Sequence, residues 1–137
     1  MLLTKECDYG MRIMRVLGDG QKRTVQAVCD EEHIPHKYAY KILKKLQKAG
    51  LVQNKRGPDG GYYLIKPLSA FTLYDVVSAV DERLFLFDCL RDGAACPRNT
   101  GEAPCAMHHE LARLQNLLIA EMKAKNMAEV LNISEES

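Results

Sequence analysis

"HKYAYKILKKLQKAGLVQNKRGPDGGYYLIK", residues 36–66, changes its hydrophobic period halfway along. Up to Ala49, the apolar residues Tyr38, Ile42, Leu43 and Leu46 recur at the spacing of one helix face, and the lysines fall outside it. Gly50 stands where a helix takes a left-handed C-terminal cap. Beyond it, "LVQNKR" and "GYYLIK" are short extended runs joined by "GPDGG", the composition of a hairpin turn.

Upstream, Thr4 is placed to cap a first helix, with Glu6 and Asp8 near its positive end. Tyr9, Ile13 and Val16, with Met11, Met14 and Leu17, give that helix a broad apolar face, and "GDG" at 18–20 stops it. Thr24 caps a second, short helix, "VQAVCDEE", with Val25, Val28 and Cys29 turned inward. "HIP" at 33–35 is a turn, and Pro35 suits the opening of the third helix. Helix, helix, turn, basic helix, hairpin is the order of a winged helix-turn-helix. The fold class expected is therefore mainly α with a small β-hairpin.

Downstream, Thr72 caps a helix, "LYDVVSAVDE", and a long final helix follows the loop 89–105. Its stripe of Leu111, Leu114, Leu118 and Met122, widened by Leu117, is expected to pack on the same helix of a second subunit, with folding back on its own domain as the alternative. The organisation expected is a winged helix-turn-helix over 1–67, a connecting helix over 68–88, a cysteine loop over 89–105, a dimerisation helix over 106–127 and a flexible tail over 128–137.

The chain of 137 residues is 47% hydrophobic, enough for a core without disulfides. No apolar run approaches the ~18 residues of a membrane span, and the start lacks a signal-peptide pattern. A cytoplasmic protein without a membrane partner is expected. In that compartment, five cysteines point to ligands, redox groups or core residues. Net charge is only +1, yet seven Lys/Arg and no acid lie between His36 and Arg56. Such a block is an electrostatic footprint for double-stranded DNA. His36, Lys37, Tyr40 and Lys41, near the start of the third helix, are placed to meet base edges. Lys44, Lys45 and Lys48 are placed to meet phosphates, and Arg56 at the wing tip suits a narrow minor groove. No acid–base pair, oriented nucleophile or phosphate loop marks an enzyme.

"CLRDGAACPRNTGEAPCAMHH", residues 89–109, is the second unusual stretch. Cys89, Cys96 and Cys105 are spaced C-x6-C-x8-C, with His108 and His109 following. Thiolates are the normal ligands of iron–sulfur clusters, and histidine or a carboxylate can replace one of them. The long gaps suit a cluster wrapped by a flexible loop better than the tight knuckle of structural zinc. A zinc site or a thiol-redox switch on the same DNA-binding fold is the alternative. An electron-transfer or cluster-scaffold protein is the alternative from another class, and the basic helix and wing argue against it. Cys29 reads as a small core residue and Cys7 as another, with ligation beside Asp8 as the alternative for Cys7.

"LTKECDYGMRIMRVL", "IPHKYAYKILKKLQKAGLVQNKRGPDGGYYLIKP", "TLYDVVSAVD" and the cysteine loop together resemble the iron–sulfur regulators of the IscR/NsrR/RirA type, winged-helix dimeric transcription factors of bacteria. The resemblance spans residues 1–127 in one register. It implies a homodimeric transcription regulator, expected as a repressor, that binds an operator through the third helix and wing. It also implies a [2Fe-2S] or [4Fe-4S] cluster held by Cys89, Cys96 and Cys105. His108 is the favoured fourth ligand by proximity. Asp8 is the alternative, because it occupies the position from which some nitric-oxide-sensing relatives supply a carboxylate across the dimer. The loop gaps are longer than those of the family's commoner loops.

Overall fold

The computed structural model describes residues 3–82, 85–91 and 93–134. Helix α1 (Lys5–Val16) begins where Thr4 Oγ1 accepts the Cys7 N–H at 3.4 Å. Helix α2 (Val25–Glu32) begins in the same way, with Thr24 Oγ1 accepting the Ala27 N–H at 3.1 Å. A left-handed His33 ends α2, and Pro35 opens α3 (His36–Lys48). Ala39, Ile42, Leu43 and Leu46 of α3 are fully buried against Ile13, Met14 and Leu17. Gly50, with φ +86°, turns the chain out of the helix.

The wing is the antiparallel pair β1 (Val52–Lys55) and β2 (Gly61–Leu64), in register from Val52 opposite Leu64 to Lys55 opposite Gly61. Arg23, in the segment before α2, adds a third chain by exchanging both backbone hydrogen bonds with Tyr62, at 2.9 and 2.7 Å. Gly61 makes this possible: at φ +147°, a β-carbon there would lie 2.8 Å from the Arg23 carbonyl. The wing is thus anchored to the helical body.

A short 3-10 turn at Leu68–Ala70 leads to α4 (Leu73–Val80), opened by a capping box between Thr72 and Asp75. Val76, Val77 and Val80 pack onto α1 and α3, completing the core. After the loop, α5 (Ala106–Ala124) lies along α4 and along a 3-10 turn at Asp88–Leu90. The fold is mainly helical with a two-stranded hairpin, as the sequence led one to expect.

Two features differ from expectation. The expected dimerisation helix ends at Ala124, and helix α6 (Met127–Leu131), opened by a capping box of Asn126 and Glu129, runs from its last expected residue into the stretch expected as a flexible tail. The Met127 side chain is fully buried and its N–H donates to Phe71 O at 2.7 Å, while Leu131 and Ile133 lie against the core. Burial of these apolar residues overrides the polar, tail-like composition around them. Residues 135–137, the end of that expected tail, lie outside the described residues. Met122, assigned to the dimer stripe, instead belongs to the chain's own core, at 5% exposure. The helix is rotated so that Leu118 and Met122 face inward, while Met107, Leu114 and Leu117 are exposed at 68%, 39% and 52%.

Candidate functional site

Opposite the buried face of α3, Lys37, Lys41, Lys44 and Lys48 form a stripe at helical spacing, all exposed. His36 and Tyr40 flank it, Tyr40 at 49% exposure. Lys44 Nζ lies 5.3 Å from the centre of the Tyr40 ring, so a cation and an aromatic face are presented together. Tyr38, assigned to the core, is half-buried: its ring meets Tyr9 at 5.6 Å and carries Lys37 Nζ at 5.0 Å. Lys55 and Arg56 are exposed where β1 enters the wing turn.

Not all of the basic block is free. Lys41 Nζ donates to Glu6 Oε1 at 2.8 Å, and Lys45 Nζ to Glu6 Oε2 at 3.2 Å and to Val80 O at 3.0 Å. Lys45, expected to meet a phosphate, lies half-buried on the α1/α4 flank of α3. The hydrogen bond from Lys41, opposed by burial and helped by Lys45, holds the Glu6 carboxyl below the usual range.

The cysteine loop is pinned at several points. Leu86 N–H donates to Gln115 Oε1 of α5 at 2.7 Å. Asn99 N–H donates to Cys96 O at 3.0 Å, and Asn99 Oδ1 accepts the Cys105 N–H at 2.8 Å. Cys105 is the N-cap residue of α5, so His108 and His109 fall in the helix's first turn. Cys89, Cys96 and His108 line one cavity of about 500 Å³, together with Arg91, Asn99 and Gln115. His108 Nδ1 is buried without a hydrogen-bond partner among the described residues.

Cys105 does not line this cavity, and no three His, Cys, Asp or Glu side chains among the described residues are grouped closely enough to hold a metal ion. The expected set of Cys89, Cys96, Cys105 and His108 is therefore gathered on one loop and one helix start, but not assembled as a closed donor group. The donor chemistry itself fits a cluster: soft thiols, and an imidazole nitrogen without a partner. Asp8 lies elsewhere, on α1, paired with Arg12 at 3.0 Å. Cys7 and Cys29 are in the core, and burial, followed by the charge of Asp30, pushes the Cys29 thiol up. Gln115 and Asn99 were missed from sequence. Gln115 had a signal, as a polar residue two turns after His108 on the inward stripe of α5.

A helix-turn-helix with a basic third helix and an anchored hairpin defines a winged-helix DNA-binding protein. A family model described as Rrf2, iron-dependent transcriptional regulator, matches residues 3–133. The chain belongs to the Rrf2 family of DNA-binding transcription regulators, which is not an enzyme class. It is similar to protein aau3 of Rhizobium meliloti, 33% identical over 71% of this chain and 65% of that protein. It is also similar to protein rrf2 of Nitratidesulfovibrio vulgaris, 30% identical over 81% of each. Among solved structures, oxidized CymR of Staphylococcus aureus superposes with a TM-score of 0.72 at 16% identity, over 99% of this chain and 100% of that one. IscR of T. potens superposes with a TM-score of 0.68 at 17% identity, over 98% and 89%. These last two are likenesses of fold. No helix among the described residues is long and apolar enough to cross a membrane.

Proposed function

We propose that this regulator is a cytoplasmic homodimer whose affinity for an operator is set by an iron–sulfur cluster held by Cys89, Cys96 and Cys105, with His108 as fourth ligand. The observation that carries this is the cavity shared by Cys89, Cys96 and the His108 imidazole, whose Nδ1 has no hydrogen-bond partner among the described residues. Asp8 is disfavoured as a ligand by its pairing with Arg12. The cluster supplies sensitivity to iron, nitric oxide or oxidant, because loss of one ligand exposes it to solvent. The protein's own part is mechanical: the segment before and around Cys89 is tied to α5 through Leu86 and Gln115 and through the 3-10 turn at Asp88–Leu90. Order in the loop is thereby transmitted to the helix whose outer leucines join two subunits. The dimer face is Leu114 and Leu117, with Met107 and the edge of Leu111, and it sets the spacing of two recognition helices. His36, Lys37, Tyr40, Lys44, Lys48 and Arg56 face the duplex.

A second reading, a thiol switch without metal, is favoured by the two free thiols Cys89 and Cys96 sharing one cavity. It also draws on the fold likeness to the Bacillus subtilis CymR, described as a global cysteine regulator, with a TM-score of 0.71 at 19% identity over 98% of this chain and 99% of that one.

The test is fluorescence anisotropy with operator duplex, using anaerobic protein before and after removal of iron by a chelator. The proposal expects a change in affinity of about fivefold or more, the size of an ordinary coupling energy. It also expects Arg56→Ala to weaken both forms. Equal affinity of the two forms would defeat cluster control, and an unchanged Arg56→Ala would defeat the wing contact.

A further inference from the structure

Between the first turn of α1, the outer edge of α3 and the end of α4 lies a cleft of about 940 Å³. Glu6 projects into it and is the acceptor for both Lys41 and Lys45. Helices α1 and α3 are already joined by buried Ile13, Met14, Ile42 and Leu43, and by the Tyr9–Tyr38 contact at 5.6 Å. A partly exposed ion pair adds little to such an interface. Its consequence falls on the lysines.

The two lysines are not equivalent. Lys45 has a second acceptor in Val80 O, whereas Lys41 stands in the middle of the outward stripe of α3, with Glu6 as its one side-chain acceptor among the described residues. A carboxylate oxygen and a phosphate oxygen ask the same thing of an ammonium group. A DNA phosphate reaching Lys41 must therefore displace Glu6, and it approaches a site that already carries a negative charge.

We propose that Glu6 is an internal competitor for the DNA backbone, holding Lys41 in reserve and lowering sequence-independent affinity, so that base contacts and wing contacts decide where the protein binds. Glu6 is here a positioning residue, acting through Lys41. The proposal rests on α3 facing DNA.

The experiment is anisotropy with a mixed-sequence duplex across a salt titration, on the full chain. Glu6→Gln keeps the shape and removes the charge. It should tighten binding about three- to tenfold at low salt and steepen the salt dependence by about one phosphate contact. In the Lys41→Gln/Lys45→Gln background, the same substitution should change affinity less than about twofold, because the competed groups are gone. Equal tightening in that background would show a long-range charge effect and overturn the proposal, as would unchanged or weaker binding by Glu6→Gln alone. Should Glu6→Gln melt early by circular dichroism, Glu6→Asp keeps the charge but withdraws it by one methylene. It should tighten binding in the same direction, and no change would overturn the proposal. Lys44→Gln separates the two levels: if it weakens binding while Glu6→Gln does nothing, only the competition fails. If Lys44→Gln is also silent, the DNA-facing assignment of α3 fails and the competition with it.

Discussion

The N–H of Leu86 donates to Gln115 Oε1 at 2.7 Å, tying the start of the cysteine loop to the middle of α5 across 29 positions of sequence. One neutral hydrogen bond contributes roughly 1 kcal/mol, so Gln115→Ala should speed amide exchange at Leu86 several-fold. Exchange should rise at residues 85–91 while α1 and α3 keep their protection. Hydrogen exchange followed by NMR measures this directly, and unchanged protection of Leu86 would mean that the loop is held by something else.

Gly10 lets α4 pack tightly on α1: a β-carbon there would lie 2.8 Å from Val80 Cγ2. Gly10→Val should therefore cost about 1–3 kcal/mol by overpacking, despite its better helix propensity. Urea unfolding should show a lower midpoint with an unchanged slope.

Acid should weaken a second contact. Both oxygens of Asp19 accept from the Arg23 guanidinium at 2.7 Å. That bond, opposed by slight burial and helped by the Gln21 N–H, lowers the Asp19 carboxyl from 3.8 to about 2. A depressed carboxyl stabilises the fold fully above its unfolded value and loses that contribution as pH falls toward its folded value. The window is therefore pH 3.8 down to about 2. With Asp19 44% exposed, solvent screening limits the contribution to about 1 kcal/mol or less. Asp19→Asn should be less stable than the parent at neutral pH, and the gap should close across that window in urea midpoints.

The face of α5 separates packing from assembly. Leu114→Glu and Leu117→Glu should leave the fold intact and shift sedimentation toward monomer, because both side chains are exposed in the single chain. Met122→Glu should instead unfold the protein, since it puts an unpaired charge where exposure is 5%. A wild type that sediments as a monomer at micromolar concentration would contradict the dimer face.

What the sequence made legible was local chemistry. Thr4, Thr24 and Thr72 cap the helices they were expected to cap, Gly50 ends α3, and the hairpin forms around the turn 56–60. Each depends on neighbours a few residues away. What stayed hidden depends on partners brought from a distance: Glu6 against Lys41 and Lys45, Gln115 against Leu86, Arg23 against Tyr62. The inward rotation of Met122 and the docking of Met127 beneath Phe71 belong to the same kind. Helical period shows that a stripe exists, but not which of two adjacent stripes the core takes. In the loop, the sequence pointed to candidate donors. The structure brings Cys89, Cys96 and His108 to one cavity and leaves Cys105 at the helix cap.

The most direct measurement of the central claim is Mössbauer spectroscopy of anaerobically purified protein, with iron and acid-labile sulfide counted per chain. The expected result is a brown protein with matched iron and sulfide and the quadrupole doublets of a cluster. That signal should be lost in Cys89→Ser, Cys96→Ser and Cys105→Ser, altered in His108→Ala, and kept in Cys29→Ser. A colourless anaerobic preparation holding stoichiometric zinc, with all three loop cysteines protected from alkylation, would contradict it.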